Sequence, residues 1–104
     1  MGHRILLFCN TEDGESIASG LGQSGHATTL CSNPNEALAL VRSTLPTVLV
    51  YRANFQAPAI TEGIASMALH PVMGGMPIIA LADPLPVGRA LSLIQSGVCD
   101  ILPM

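Results

Sequence analysis

An arginine, Arg52, stands where the apolar run "VLVY" ends, in "VLVYRANF" (48–55). A guanidinium offers hydrogen-bond donors and a permanent charge but no acceptor, so it can pair with carboxylates or receive an anion. A second candidate lies near the amino terminus. "RILLFC" (4–9) ends in Cys9, and Asn10 and Thr11 lead on to two acids, Glu12 and Asp13. A third apolar run, "PIIALA" (77–82), ends at Ala82 and is followed by Asp83. If these runs are neighbouring strands, one cation and several acids meet at their ends. Arg52 then pairs with Glu12, Asp13 or Asp83 across the mouth of a pocket, or it takes up an anionic ligand. With three acids near one cation, and charges at strand ends tending to be paired, the fixed ion pair is the favoured reading.

Other chemistry is poorly represented. His3, His26 and His70 are dispersed, without metal-ligand spacing. Cys9, Cys31 and Cys99 are odd in number and contain no CxxC, which suits reduced thiols and a cytoplasmic setting. There is no P-loop, no GxSxG and no GxGxxG after a strand. No catalytic residue, metal or cofactor is expected.

The elements that must carry these residues follow from the apolar pattern. Short apolar runs read as strands over 4–9, 26–31, 47–51, 77–82 and 98–104, the second more polar and suited to a sheet edge. Helices are expected over 15–25, 33–45, 58–71 and 85–97. The clearest is "NPNEALALVRSTL", where Asn33 can cap, Pro34 suits the first helical position, and Leu38, Val41 and Leu45 share a face. Gly20 and Gly22 weaken the first helix, and Gly25 can stop it. In the third, Ile60, Ile64, Met67 and Ala68 share a face, and "VMGG" follows as a turn. In the last, Leu91 and Ile94 are expected to face inward. Strict alternation with strands apolar on both faces predicts an α/β fold, a doubly wound parallel sheet. With right-handed crossovers and five strands, the flavodoxin-like order 2-1-3-4-5 leads. Ligands in such a sheet bind beyond the carboxyl ends of the strands, where Cys9, Asn10, Arg52, Ala82 and Met104 would meet.

Composition narrows the function. The chain has 104 residues, which suits one domain, and 49% are hydrophobic. Mean hydropathy is +0.51. Only 11% of residues are charged, which predicts a doubly covered sheet or a surface that meets a partner. The net charge is −3, there is no lysine, and Arg4, Arg42, Arg52 and Arg89 are scattered, which argues against direct nucleic-acid binding. No run approaches the length of a membrane span, and no signal peptide is visible.

The same segments carry a resemblance. "RILLFCN", "GHATTLCSNPNEAL", "LPTVLVYR", "MPIIALAD" and "GVCDILPM" resemble, in order and spacing, the strand and turn motifs of the receiver domain of two-component response regulators. The resemblance implies a signalling module over 1–104. It also implies that the phosphoacceptor aspartate, the two metal-holding acids, the sensing Thr or Ser and the lysine of the family fall on Arg52, on Cys9 and Asn10, on Ala82 and on Met104. None matches the family's residue type, so the implied variant is a degenerate receiver without aspartyl phosphorylation. The family closes with a fifth helix, which this chain lacks. The expectation is therefore the amino-terminal part of a longer regulator, with an output such as transcription regulation lying elsewhere, or a face covered by a partner or a second copy. Either case leaves apolar surface beside strands 1 and 5 to be covered. The family's output face implies Val87, Arg89, Leu91, Ile94 and Ile101 as the interaction surface. A narrower resemblance, of "ILLFCN" to the Cys-phosphorylated IIB proteins of sugar phosphotransferase systems, implies a phosphocarrier on Cys9. The three acids in "NTEDGES" would repel the phosphate such a loop must nest.

Overall fold

In the computed structural model, which describes residues 2–55 and 59–103, the expected alternation is realised. Strand β1 (Arg4–Cys9) leads through α1 (Gly14–Gln23) to β2 (Ala27–Cys31), and α2 (Pro34–Thr44) leads to β3 (Val48–Arg52). Then come α3 (Ala59–Leu69), a 3-10 turn over Pro71–Met73, β4 (Ile78–Ala82), α4 (Val87–Ser96) and β5 (Asp100–Pro103). All strand pairs are parallel, in the order β2-β1-β3-β4-β5. The more polar β2 sits at an edge, as its composition anticipates.

Side-chain alternation divides the core into two layers. Leu6, Phe8, Leu49, Tyr51, Ile78 and Ala80 point to the side of α2, α3 and α4, where Ala37, Val41, Ile64, Met67 and Leu93 meet them. Ile5, Leu7, Cys9 and Val50 point to the other side and pack under Ile17, Ala18 and Leu21 of α1. The expected loss of cover beside strand 1 does not occur, because α1 lies over β1. Cover thins instead at β4 and β5, where Ile79 and Leu81 are half-buried and Leu102 is exposed. No helix among the described residues is long and apolar enough to cross a membrane.

Helix ends follow local chemistry. The Asn33 side chain accepts the Asn35 and Glu36 N–H groups at 2.8 and 3.4 Å, and Pro34 opens α2 without needing a donor. Leu45 leaves the expected apolar stripe. It caps α2 in the left-handed region, at φ 49°, which turns its side chain into solvent, and the inward stripe is Ala37 and Val41 with Leu38 beside them. The glycines of α1 do not break it. The helix runs to Gln23, and Gly25, at φ 88°, stands just beyond its cap.

Helix α3 ends at Leu69 instead of residue 71. The His70 side chain caps the 3-10 turn that replaces part of the expected "VMGG" turn, accepting the Val72 N–H at its Nδ1, and Gly74 closes the turn at positive φ. The expected start of that helix at Pro58 lies outside the described residues.

The phase of α4 differs from expectation. Leu93 is fully buried, whereas Leu91 is 55% exposed and Ile94 45%. Val87, Leu91 and Ile94 stand at positions i, i+4 and i+7, which is one face of a helix, and that face looks outward. The inward face is set by Leu93 and by Gly97, which lets the end of α4 approach Ala68 of α3.

Candidate functional site

The strand ends meet as the register requires. Cys9 is the partner of Arg52 across β1 and β3, and Arg52 is the partner of Leu81 across β3 and β4. The Asn10 N–H continues the ladder to the Arg52 carbonyl at 3.2 Å. Arg52 belongs to β3 itself and, with Cys9, points to the α1 side of the sheet.

Arg52 is only 8% exposed. Its Nε donates to Asp13 Oδ2 at 3.1 Å, one terminal nitrogen donates to the Leu81 carbonyl at 3.2 Å, and the other lies 3.5 Å from Asp83 Oδ2. Two carboxylates and a carbonyl thus surround the guanidinium, which is what keeps a buried cation tolerable. Asp83 is largely exposed, so its share is screened by solvent. Of the three acids named from the sequence, Asp13 and Asp83 are partners. Glu12 makes no ion pair among the described residues and turns instead into a groove between α1 and β2.

Asp13 occupies the cap position of α1 but makes no side-chain cap hydrogen bond. Its carboxylate turns to Arg52 on one oxygen and to the Thr11 hydroxyl on the other. The Thr11 hydrogen bond, followed by the hydrogen bond and charge of Arg52, holds the Asp13 carboxyl below its usual range against the opposing cost of desolvation. Cys9 is buried beside this cluster. Its Sγ lies 3.2 Å from Thr11 Oγ1 and 3.7 Å from Asp13 Oδ1. Gly14 allows the contact, since a Cβ there would press on Cys9 Cβ and Sγ at 3.2 Å. Cys31, across the sheet, is pushed up to about 11 by burial and by Glu36.

Ala82 is buried at the end of β4 and brings no polar group. Met104 lies outside the described residues. The arrangement puts a guanidinium, which has donors and no acceptor, at the end of β3. A divalent cation would meet that fixed positive charge, and its hard-oxygen preference is unmet by Cys9. Among the described residues no group of three His, Cys, Asp or Glu is placed to hold a metal ion.

The sequence places Thr11 at this strand end but does not foresee its hydrogen bond to Asp13, nor the part of the Leu81 carbonyl. An Asp two residues after a Thr is a weak signal for the first, and nothing short of the register reveals the second. The outer surface named from the sequence divides. Val87, Leu91 and Ile94 are exposed, whereas Ile101 is half-buried against the core. Arg89 turns inward, its guanidinium donating to the Phe55 carbonyl through Nε at 3.1 Å and through a terminal nitrogen. That bond ties α4 to the segment after β3. Next to it both phenylalanine rings gather on Tyr51, Phe8 stacked at 4.4 Å and Phe55 tilted at 6.0 Å between centroids.

No protein-family model and no curated protein matches the sequence. Solved structures match the fold closely. A response regulator from Desulfuromonas acetoxidans is 25% identical with a TM-score of 0.75, over 97% of this chain and 83% of that one. A chemotaxis response regulator of Vibrio cholerae is 14% identical with a TM-score of 0.79, over 99% and 87%. The amino-terminal domain of a response regulator receiver protein from Methanoculleus marisnigri is 16% identical with a TM-score of 0.78, over 97% and 83%. The chain has the receiver fold, a five-stranded flavodoxin-like sheet.

Proposed function

We propose that this chain is a receiver-type signalling module whose state is not set by aspartyl phosphorylation and whose output is a protein contact. The observation that carries this reading is the seat of Arg52. At the end of β3, where the resemblance implies an acceptor aspartate, stands a buried guanidinium held by Asp13, Asp83 and the Leu81 carbonyl. A fixed ion pair there takes the place of a charge that comes and goes. Arg52 is already satisfied, which works against an open anion sensor at that spot. Cys9 is buried against a carboxylate, which works against a phosphocarrier.

The contact surface in this reading is the outer face of α4, where Val87, Leu91 and Ile94 are exposed. The occupant we favour is a second copy of the chain, because α4 carries no charge except Arg89, which is turned inward, and the face is apolar on each copy.

The test of the first part is intact-mass spectrometry after incubation with acetyl phosphate and Mg²⁺. No phosphoryl addition is expected, and a stoichiometric acyl phosphate on Asp13 or Asp83 would sink the reading. The second part is read by sedimentation velocity. A concentration-dependent dimer that Leu91→Asp weakens at least about ten-fold is expected. A wild-type chain that stays monomeric at high concentration rules out self-association.

A further inference from the structure

Tyr51 has a second relationship that the Arg52 cluster does not use. Successive strand residues point to opposite faces, so Tyr51 points away from Arg52, to the α2 and α3 side. The residue as a whole is 4% exposed, but its hydroxyl oxygen reaches the surface and makes no hydrogen bond to the described residues. It opens into a groove of about 410 Å³ between the start of α2 and the second half of α3. Pro34, Leu38 and Met67 give the groove apolar walls, and Asn35, Ser66 and His70 stand among them.

Gly63 keeps this groove open. A Cβ there would stand 4.0 Å from the Tyr51 hydroxyl oxygen, so any longer side chain would cover it. Glycine inside a helix costs about 1 kcal/mol relative to alanine, and α3 carries that cost in its interior.

The chemistry of the walls narrows the occupant. Among the described residues that line the groove there is no Lys, Arg, Asp or Glu, so a charged group entering it would lose water without gaining a counter-ion. His70 accepts the Val72 N–H at Nδ1, which leaves its ring hydrogen on Nε2 as a donor. The Tyr51 hydroxyl and the Asn35 and Ser66 side chains can each donate or accept, whereas the His70 Nε2–H only donates, so every polar group of the groove can serve a ligand's acceptor. We propose that the α2–α3 groove over Tyr51 binds a small neutral, largely apolar molecule bearing a hydrogen-bond acceptor, which receives the Tyr51 hydroxyl hydrogen. The site matches the usual make-up of ligand pockets, apolar walls with a few convergent polar groups. It stands whether or not the Arg52 cluster has the role proposed above.

Benzamide is the probe and benzoate its charged counterpart, each titrated into the ¹⁵N-labelled chain and followed by amide chemical shifts. Benzamide is expected to give saturable shifts at Asn35, Leu38, Gly63 and Met67, with a Kd of about 1 mM. Tyr51→Phe keeps the ring stack and removes only the hydroxyl, and it should weaken binding about five-fold. Gly63→Leu should abolish binding, and benzoate should bind at least about five-fold more weakly than benzamide. Shifts that do not saturate, shifts centred elsewhere, or an unchanged affinity in Tyr51→Phe overturn the proposal. The last of these would mean that water alone serves the hydroxyl. If Gly63→Leu fails to fold, Tyr51→Phe decides.

Discussion

Asp13 and Arg52 are joined at 3.1 Å across the mouth of the sheet, and the carboxylate that could cap α1 is spent on the guanidinium instead. The pair joins the start of α1 to the end of β3. Among the described residues it is the ion pair that ties the α1 layer to the sheet.

The first prediction follows from its titration. The Asp13 carboxyl is held below its usual value of 3.8, so between the folded value and about 3.8 the unfolded chain binds more of its proton than the native one does. Stability from this group is therefore fully present above the unfolded value and is lost as pH falls through the folded one. Asp13→Asn should destabilise the chain at pH 7 by about 1–3 kcal/mol, since it leaves Arg52 with only the exposed Asp83 as counter-charge. It should also flatten the acid limb of the stability curve. Urea titrations of both proteins at pH 7 and at pH 3 check this. An equal difference at the two pH values would refute it.

Gly97 carries a second prediction. It ends α4 at φ 122°, and a Cβ on it would stand 2.8 Å from the Ala68 Cβ. An L-residue here is strained by its backbone and also presses α4 away from α3. Gly97→Ala is expected to cost about 2–3 kcal/mol and to lower Tm by roughly 10 °C or more. Gly97→Ala paired with Ala68→Gly should recover the steric part and leave the backbone part. Recovery of the whole loss would mean that the conformation is not strained.

Most of the fold was legible, because each strand is a short apolar run and α2 begins on a capping residue that the sequence names. "RILLFC" formed β1 over the expected residues, and Asn33 capped α2 as read. The site was legible at Arg52, Asp13 and Asp83, since strand ends in a parallel sheet gather in one place. What failed was phase. In α4 both stripes carry apolar residues, Val87, Leu91 and Ile94 on one and Leu93 on the other. Periodicity alone cannot decide which faces the sheet. Ala68 against Gly97 is a long-range fact with no trace in local pattern. Glu12 and Asp13 are adjacent acids, and only the start of α1 at Gly14 decides which one turns to Arg52.

Leu45 supplies a third prediction. It is a leucine in the left-handed region with its side chain exposed, where a β-carbon costs about 1–2 kcal/mol and no burial compensates. Leu45→Gly removes that strain but adds freedom to the unfolded chain. The net expectation is a gain of about 0.5–1 kcal/mol, seen as a rise in Tm of a few degrees. A fall in Tm would show that the apolar side chain is covered in solution.

The aromatic stack gives the last prediction. Phe8 is buried with its ring 4.4 Å from Tyr51, and the two are register partners on β1 and β3. Phe8→Leu keeps an apolar side chain of nearly the same volume but removes the ring contact, so the expected cost is about 1–2 kcal/mol, less than the ~3–5 kcal/mol of truncation to alanine. Tyr51 is the only tyrosine and there is no tryptophan, so near-ultraviolet circular dichroism reads this one ring. In Phe8→Leu the tyrosine band should weaken while the far-ultraviolet spectrum stays as in the wild type. An unchanged band would mean that Phe55, at 6.0 Å and tilted by 48°, is enough to hold the Tyr51 ring in place.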